Sequence, residues 1–457
     1  MDAASTEIPA YLTLNEQVSL TREQKQAIGL LSIGTFLEYF DLMLYVHMAV
    51  LLNELFFPKY DPHTTALLSA LAFCSTFVFR PFGALLFGWI GDNIGRKATI
   101  IITTIMMSFS CLVIANLATY AQIGITAAYL LTMCRAIQGM SSVGEVIGAS
   151  LYLTEITQPP IRYPVVTIIS ICSNLGGAAA LAIGALFTSF GFDWRLAFWF
   201  GLVIAFIGVI ARTALRETPD FADAKRRLKR TFEQAERDPT EVLKNNKIIN
   251  EKVNKKTALA LFLIYSAWPA CFYFVFVHCG NILKTSFNYS SVQVIHHNLI
   301  VAIIKFIALL LLAYAGYKIH PLKVIKIRTG IFSIFIMYLL YCTINHNNTA
   351  DTPLQLLLIQ SFVIVFGFGD SPALPIFLIH FPIFKRFTSA SFAFAFSHAV
   401  MYTVTSFGLV YLINYFESWA WGLIIIMIPT GLGYIWGVNH FCTLEKNAAN
   451  EYGQKLA

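Results

Sequence analysis

The chain has 457 residues, 57% of them hydrophobic and 12% charged, with a mean hydropathy of +0.65. That is about half the charge of a soluble domain, so a water-soluble globular protein is excluded and an all-α membrane protein is expected. The net charge of +7 needs no nucleic-acid partner, because the basic residues are sorted by position along the chain.

Residues 1–27 are polar and lack the basic end, apolar core and small-residue cleavage site of a secretory signal, so they read as a cytosolic tail. Apolar runs then recur near 28–57, 65–90, 98–119, 123–152, 164–190 and 194–214. A charged stretch over 215–256 follows, with signs alternating at helical spacing, and reads as a solvated linker helix, with a regulatory or partner-binding role as the alternative. Six more runs lie near 257–284, 291–317, 324–345, 353–381, 387–414 and 417–441, and a short tail covers 442–457. At about 20 apolar residues per crossing, this is about twelve transmembrane helices in two six-helix bundles, over 28–214 and 257–441.

Lys and Arg set the orientation. Starting inside, only Lys59, Arg195 and Lys284 fall in outer segments, and Arg80, Arg135 and Lys305 fall within spans; the rest are cytosolic. Both termini are therefore expected in the cytosol. The eight cysteines lie mostly in apolar runs without C-x-x-C spacing, so no disulfide, metal or cofactor is expected.

A charge inside a span costs on the order of 3 kcal/mol and usually faces the bundle interior with a partner. The first half holds Glu38, Asp41, Arg80, Arg135 and Glu145. Glu38, Asp41 and Tyr45 are spaced i, i+3, i+7 and share one helix face. At a rise of about 1.5 Å per residue, Glu38 and Arg80 sit roughly 15 Å deep and could pair; Asp41 and Arg135 are a second candidate pair. Three acids against two arginines leave one carboxylate able to take up and release a proton. In the second half, Lys305 is either paired with Asp370 or contacts an anionic substrate group, and His398 is deep enough to join a cavity. Trp268, Phe272 and Phe276 form an aromatic stripe that serves packing or holds a quaternary ammonium.

The stretch "GWIGDNIGRK" resembles the G-x-x-x-D-x-x-G-R-K loop between spans 2 and 3 of the major facilitator superfamily, and "RAIQG" resembles its span-4 arginine motif. "FLEYFDLMLY", "FRPFGALLFGWIGD", "RAIQGMSSVGEVIGASLYLTE", "DWRLAF" and "LRETPDF" resemble the metabolite:proton symporter branch, which includes proline/betaine and 2-oxoglutarate permeases. The likeness is dense over about 29–221 and thinner beyond, chiefly at "HFPIFKRFT". The matching loop of the second half, "GYKIHPLKVIK", lacks the acid and the G-R-K, so an asymmetric gate is expected.

The resemblance implies a latch at Asp92 and Arg96, proton coupling at Glu38, Asp41 and Arg135, and a central cavity with Arg80 and Glu145. Tyr45, Trp268, Lys305, Asp370 and His398 are further cavity candidates. To the latch we add Gly88 and Gly95 for close approach and a tight turn, and Glu155 as the partner of Arg96. Asp92 is placed to meet the amino-terminal end of span 11 near Phe387, at a surface where charge is exposed and the contact is weak.

The implied function is proton-coupled import of a small polar metabolite by alternating access across a bacterial inner membrane, with H+ as coupling ion. A zwitterion such as proline or glycine betaine comes first, and a di- or tricarboxylate second. A channel filter and the motifs of membrane enzymes are not found in the sequence; a non-transporting nutrient sensor on the same fold is the alternative from another class.

Overall fold

The structure, a computed structural model, describes residues 16–57, 76–190, 193–213, 218, 222, 226, 251–345, 350–416 and 419–451. A few side chains within the helices, Glu145 among them, lie outside the described set, as do Lys59, Cys74, the first 15 residues, the last six and nearly all of the linker with its expected helix.

Twelve helices carry the architecture in the described residues. The first six are α1 (Arg22–Phe56), α2 (Arg80–Asn93), α3 (Arg96–Asn116), α4 (Ile125–Ile156), α5 (Arg162–Phe190) and α6 (Trp194–Thr213). The second six are α7 (Lys255–Phe272), α8 (Ser291–Lys318), α9 (Pro321–Ile344), α10 (Pro353–Phe366), α11 (Arg386–Phe416) and α12 (Trp419–Glu451). Seven described helices are long and apolar enough to cross a membrane. Their starts follow ordinary capping chemistry. Ser290 with Gln293, and Thr352 with Gln355, form capping boxes ahead of α8 and α10. Pro321 and Pro353 sit in the first turns of α9 and α10, where a missing N–H costs nothing.

Two spans depart from the expected continuous helices. The seventh carries Pro269 inside α7 and passes through a π-helical turn, Tyr273–His278, before continuing as Cys279–Thr285. The tenth is broken: α10 stops at Phe366, and the chain runs non-helically to a short helix, Leu374–Ile379. Gly367 and Gly369 give up more conformational freedom in a helix than any other residue, and Pro372 brings no N–H to continue one.

Helices α1, α4, α5 and α6 pack around one another, with α3 against α4 and α6, and α2 against α4. In the second half α7 packs on α11 and α12, α9 on α12, and α8 on α10. The halves meet mainly where α2 crosses α11 and α5 crosses α8. Large apolar side chains point outward along α8 and α9, including Leu311, Tyr314, Ile334, Met337 and Tyr338. A belt of that size is what lipid, not water, covers. Ahead of α1, the chain is pinned to the loop between α4 and α5 by Gln17, whose backbone N–H donates to Pro159 O at 3.0 Å and whose side chain accepts from Gln158 N at 2.9 Å.

Candidate transport site and inter-bundle latch

The loop from Gly88 to Lys97 joins α2 to α3 and meets α11 of the other half. Asp92 accepts from the backbone N–H groups of Phe387 at 3.0 Å and Thr388 at 2.8 Å, the open amino-terminal end of α11. Gly88 makes the approach possible, since a Cβ there would stand 2.7 Å from the Thr388 Cα. Gly95 turns the chain at φ 150°, where a side chain is disfavoured. Arg96 then reaches back to Gly91 O at 2.6 Å and Asp92 Oδ1 at 3.2 Å, and outward to Glu155 Oε1 at 3.3 Å and Ile383 O at 2.9 Å. Asp92 and Arg96 are 2% and 0% exposed. The expected exposed, weak contact is therefore corrected: the loop is sealed under α11, and burial strengthens each of its hydrogen bonds.

Glu155, at the end of α4, gathers more than the expected single partner. Arg386 on α11 donates to the same Oε1 at 3.3 Å, and the Thr218 hydroxyl donates to Oε2 at 2.6 Å. One carboxylate thus binds both halves and the first residues of the linker. Lys97 adds a bond to Thr213 O, at the end of α6, at 2.9 Å.

Deeper in the first half, Glu38, Asp41 and Tyr45 are all buried, as their shared helix face requires. Among the described residues no ion pair joins Asp41 to Arg135. Arg135 instead lies over the Tyr45 ring, 4.0 Å from its centroid, and donates to Gln138 Oε1 at 2.8 Å. Gln138 donates to Cys111 Sγ at 3.4 Å, and the Cys111 thiol faces the Asp41 carboxylate. Arg80 lies over Phe77, 4.7 Å from the ring centroid, with Glu38, Tyr39 and Tyr402 within its electrostatic reach.

In the second half, Lys305 and Asp370 do not pair. The Lys305 ammonium sits over the Trp268 ring, 4.4 Å from its centroid, so the face that could have held a substrate ammonium already carries the chain's own cation. Asp370 lies in the broken tenth span, held by N–H groups of its own segment, with Arg328, Tyr265 and Tyr39 of α1 within its electrostatic reach. Trp268, Phe272, Tyr402 and Phe77 form a continuous path of ring contacts, centroids 6.4, 6.0 and 4.2 Å apart in turn. Lys305 stands at one end of that path and Arg80 at the other, and it crosses from one half to the other. His398 is buried beside it, bonded through Nδ1 to Phe394 O at 2.8 Å.

Residues that the sequence reading passed over include Cys111, Gln138, Thr218, Arg328 and Tyr434. Gln138 lies inside the quoted "RAIQG" motif and Arg386 inside "HFPIFKRFT", so both had a signal. Arg328 was assigned to a cytosolic break, but α9 begins at Pro321 and encloses it.

An all-helical membrane fold of two halves, closed at one end by a loop seated on a helix terminus, defines a carrier. The chain belongs to the Major Facilitator Superfamily, whose family model matches residues 31–401. It is 34% identical over 208 residues to the proline/betaine transporter of Salmonella typhimurium, a match covering 43% of this chain and 41% of the relative. It is 37% identical over 208 residues to the inner membrane metabolite transport protein YhjE of Escherichia coli, covering 43% and 47% of the two. These matches span less than half the length of either relative. Among solved structures it is similar in fold to the proton:xylose symporter XylE, with a TM-score of 0.71, 14% identity, and coverage of 90% and 94%. The human organic anion transporter MFSD10 gives a TM-score of 0.63 at 16% identity, over 92% of this chain and 99% of that one.

Proposed function

We propose that the protein is a proton-coupled symporter that imports a small zwitterion, such as proline or glycine betaine, by alternating access. The observation that carries the reading is that Lys305 and Asp370 are not spent on each other: one rests on Trp268, and the other lies in the broken tenth span, within electrostatic reach of Arg328, Tyr39 and Tyr265. Both charge signs remain available between the halves for a molecule that bears both. The names of the relatives favour the same substrate class.

Coupling is assigned to the first half. Asp41 takes up and releases the proton, and Cys111 and Gln138 link it to Arg135, while Glu38 stays beside Arg80. The end carrying the latch, with the Lys- and Arg-rich linker, is the cytosolic end of a bacterial inner membrane, which places both termini inside. The latch closes that end while the substrate site faces out, and its many small contacts are released together when the bundles rock.

A second reading, a di- or tricarboxylate, is favoured by the placement of Lys305 and Arg80 at the two ends of the aromatic path. Uptake of labelled glycine betaine, proline and 2-oxoglutarate into proteoliposomes, with and without an inward proton gradient, decides between them. Gradient-driven uptake of betaine or proline is expected. Uptake of 2-oxoglutarate alone selects the second reading, and binding without flux selects a sensor.

A further inference from the structure

The break in the tenth span frees backbone carbonyls within a membrane helix bundle, where lipid offers no hydrogen bonds and each group needs a protein partner. Three of them are met from two other helices. Arg328 of α9 donates Nη2 to Gly367 O at 2.8 Å and Nη1 to Ser371 O at 3.1 Å. The Tyr434 hydroxyl of α12 donates to Gly369 O at 2.6 Å. Arg328 lies seven residues into its helix, about 10 Å along it, and Asp370 is within its electrostatic reach.

The segment held in this way also touches the first half. Ser371 Oγ lies 3.1 Å from Ser170 Oγ on α5. Pro372 packs on Gly316 of α8, where a Cβ would stand 2.7 Å from the proline ring. The break is therefore a second inter-bundle contact, distinct from the latch and made by a pair of hydroxyls rather than by ion pairs.

We propose that Arg328 is a positioning residue, a tethered cation seated in the carbonyl cradle of the broken span, where broken transporter helices can instead coordinate a free monovalent cation. With Tyr434 it sets how residues 367–372 dock on α5. The planar guanidinium is suited to this, because one rigid fork reaches two carbonyls at once, whereas a lysine ammonium is a single point charge. The inference does not depend on which substrate is carried.

The test reads docking directly. Ser170→Cys with Ser371→Cys should form an inter-bundle disulfide when membranes are treated with a mild oxidant, and either single substitution serves as control. Adding Arg328→Gln should slow the cross-link about tenfold, free guanidinium ion should restore it, and Arg328→Lys should fall between. Tyr434→Phe, which removes one hydroxyl and no bulk, should slow it by a smaller factor. An unchanged rate in Arg328→Gln, or a loss that guanidinium does not restore in well-folded protein, overturns the proposal. If Arg328→Gln does not fold, unchanged rates in both Arg328→Lys and Tyr434→Phe overturn it.

Discussion

The Arg135 guanidinium does not pair with the Asp41 carboxylate but turns to Gln138, whose amide in turn reaches the Cys111 sulfur on the Asp41 side. Arg135 donates to the Gln138 carbonyl oxygen, the Gln138 amide donates to the Cys111 sulfur, and the thiol faces Asp41. The two bonds each have one defined sense of donation, so a change at the Cys111 sulfur is passed to Arg135 through Gln138. Tyr45 holds the far end, its ring under the guanidinium.

Cys111→Ser keeps a group that both donates and accepts, and should retain gradient-driven uptake. Cys111→Ala and Gln138→Leu each break the chain and should lower it about fivefold, the effect of losing about 1 kcal/mol of hydrogen bonding. Equal uptake in the Ser and Ala variants would remove this chain from proton coupling.

Arg96→Gln and Glu155→Gln each take one charge out of a buried network whose other members remain, so each should cost less than the ~3–5 kcal/mol of a fully orphaned buried charge. Because Glu155 also holds Arg386, its substitution should lower the thermal unfolding temperature more than that of Arg96 does. The double variant should cost less than the sum of the two single ones; fully additive losses would show that the two do not act on each other.

Gly88→Val should prevent α2 from closing on α11, because even one added carbon meets the Thr388 Cα. A cysteine placed at Thr388 should then react faster with a membrane-impermeant maleimide supplied from the latch side than it does beside Gly88. Asp92→Asn removes the charge that faces both α11 and Arg96 and turns one of the two accepting oxygens into a donor, so in this buried loop it costs more than the ~1 kcal/mol of an exposed helix-end contact. It should slow transport and lower the unfolding temperature, and an unslowed rate would argue against the latch.

Lys305→Met removes the cation from Trp268 while keeping the stem that packs there. The KM for a zwitterionic substrate should rise about tenfold with kcat less affected, the loss of one charge-assisted contact to its carboxylate. An unchanged KM would place the substrate elsewhere along the aromatic path.

Hydropathy alone located the spans, because a lipid-crossing helix must be apolar over its whole length, and the charged loop at Asp92 stood out against that background. The partner of Arg96 was legible in the same way, as a lone acid at the end of a span. Depth counting could not foresee Arg135 turning to Gln138 rather than to Asp41, since rise per residue says nothing of which way a side chain turns. The broken tenth span carried its signal in Gly367, Gly369 and Pro372, but the surrounding hydropathy is continuous. Arg328 was hidden by position: an arginine near the start of a span reads as a loop residue until something inside the membrane is found for it to hold.

Thr218 gives the Glu155 contact a mechanical meaning. Its hydroxyl occupies one oxygen of the carboxylate whose other oxygen receives Arg96 and Arg386. Thr218, five residues beyond the end of α6, is thus held by the same acid that holds both bundles. Any displacement of Thr218 would be felt at that carboxylate, at a distance from the cavity and without any change in the residues that line it.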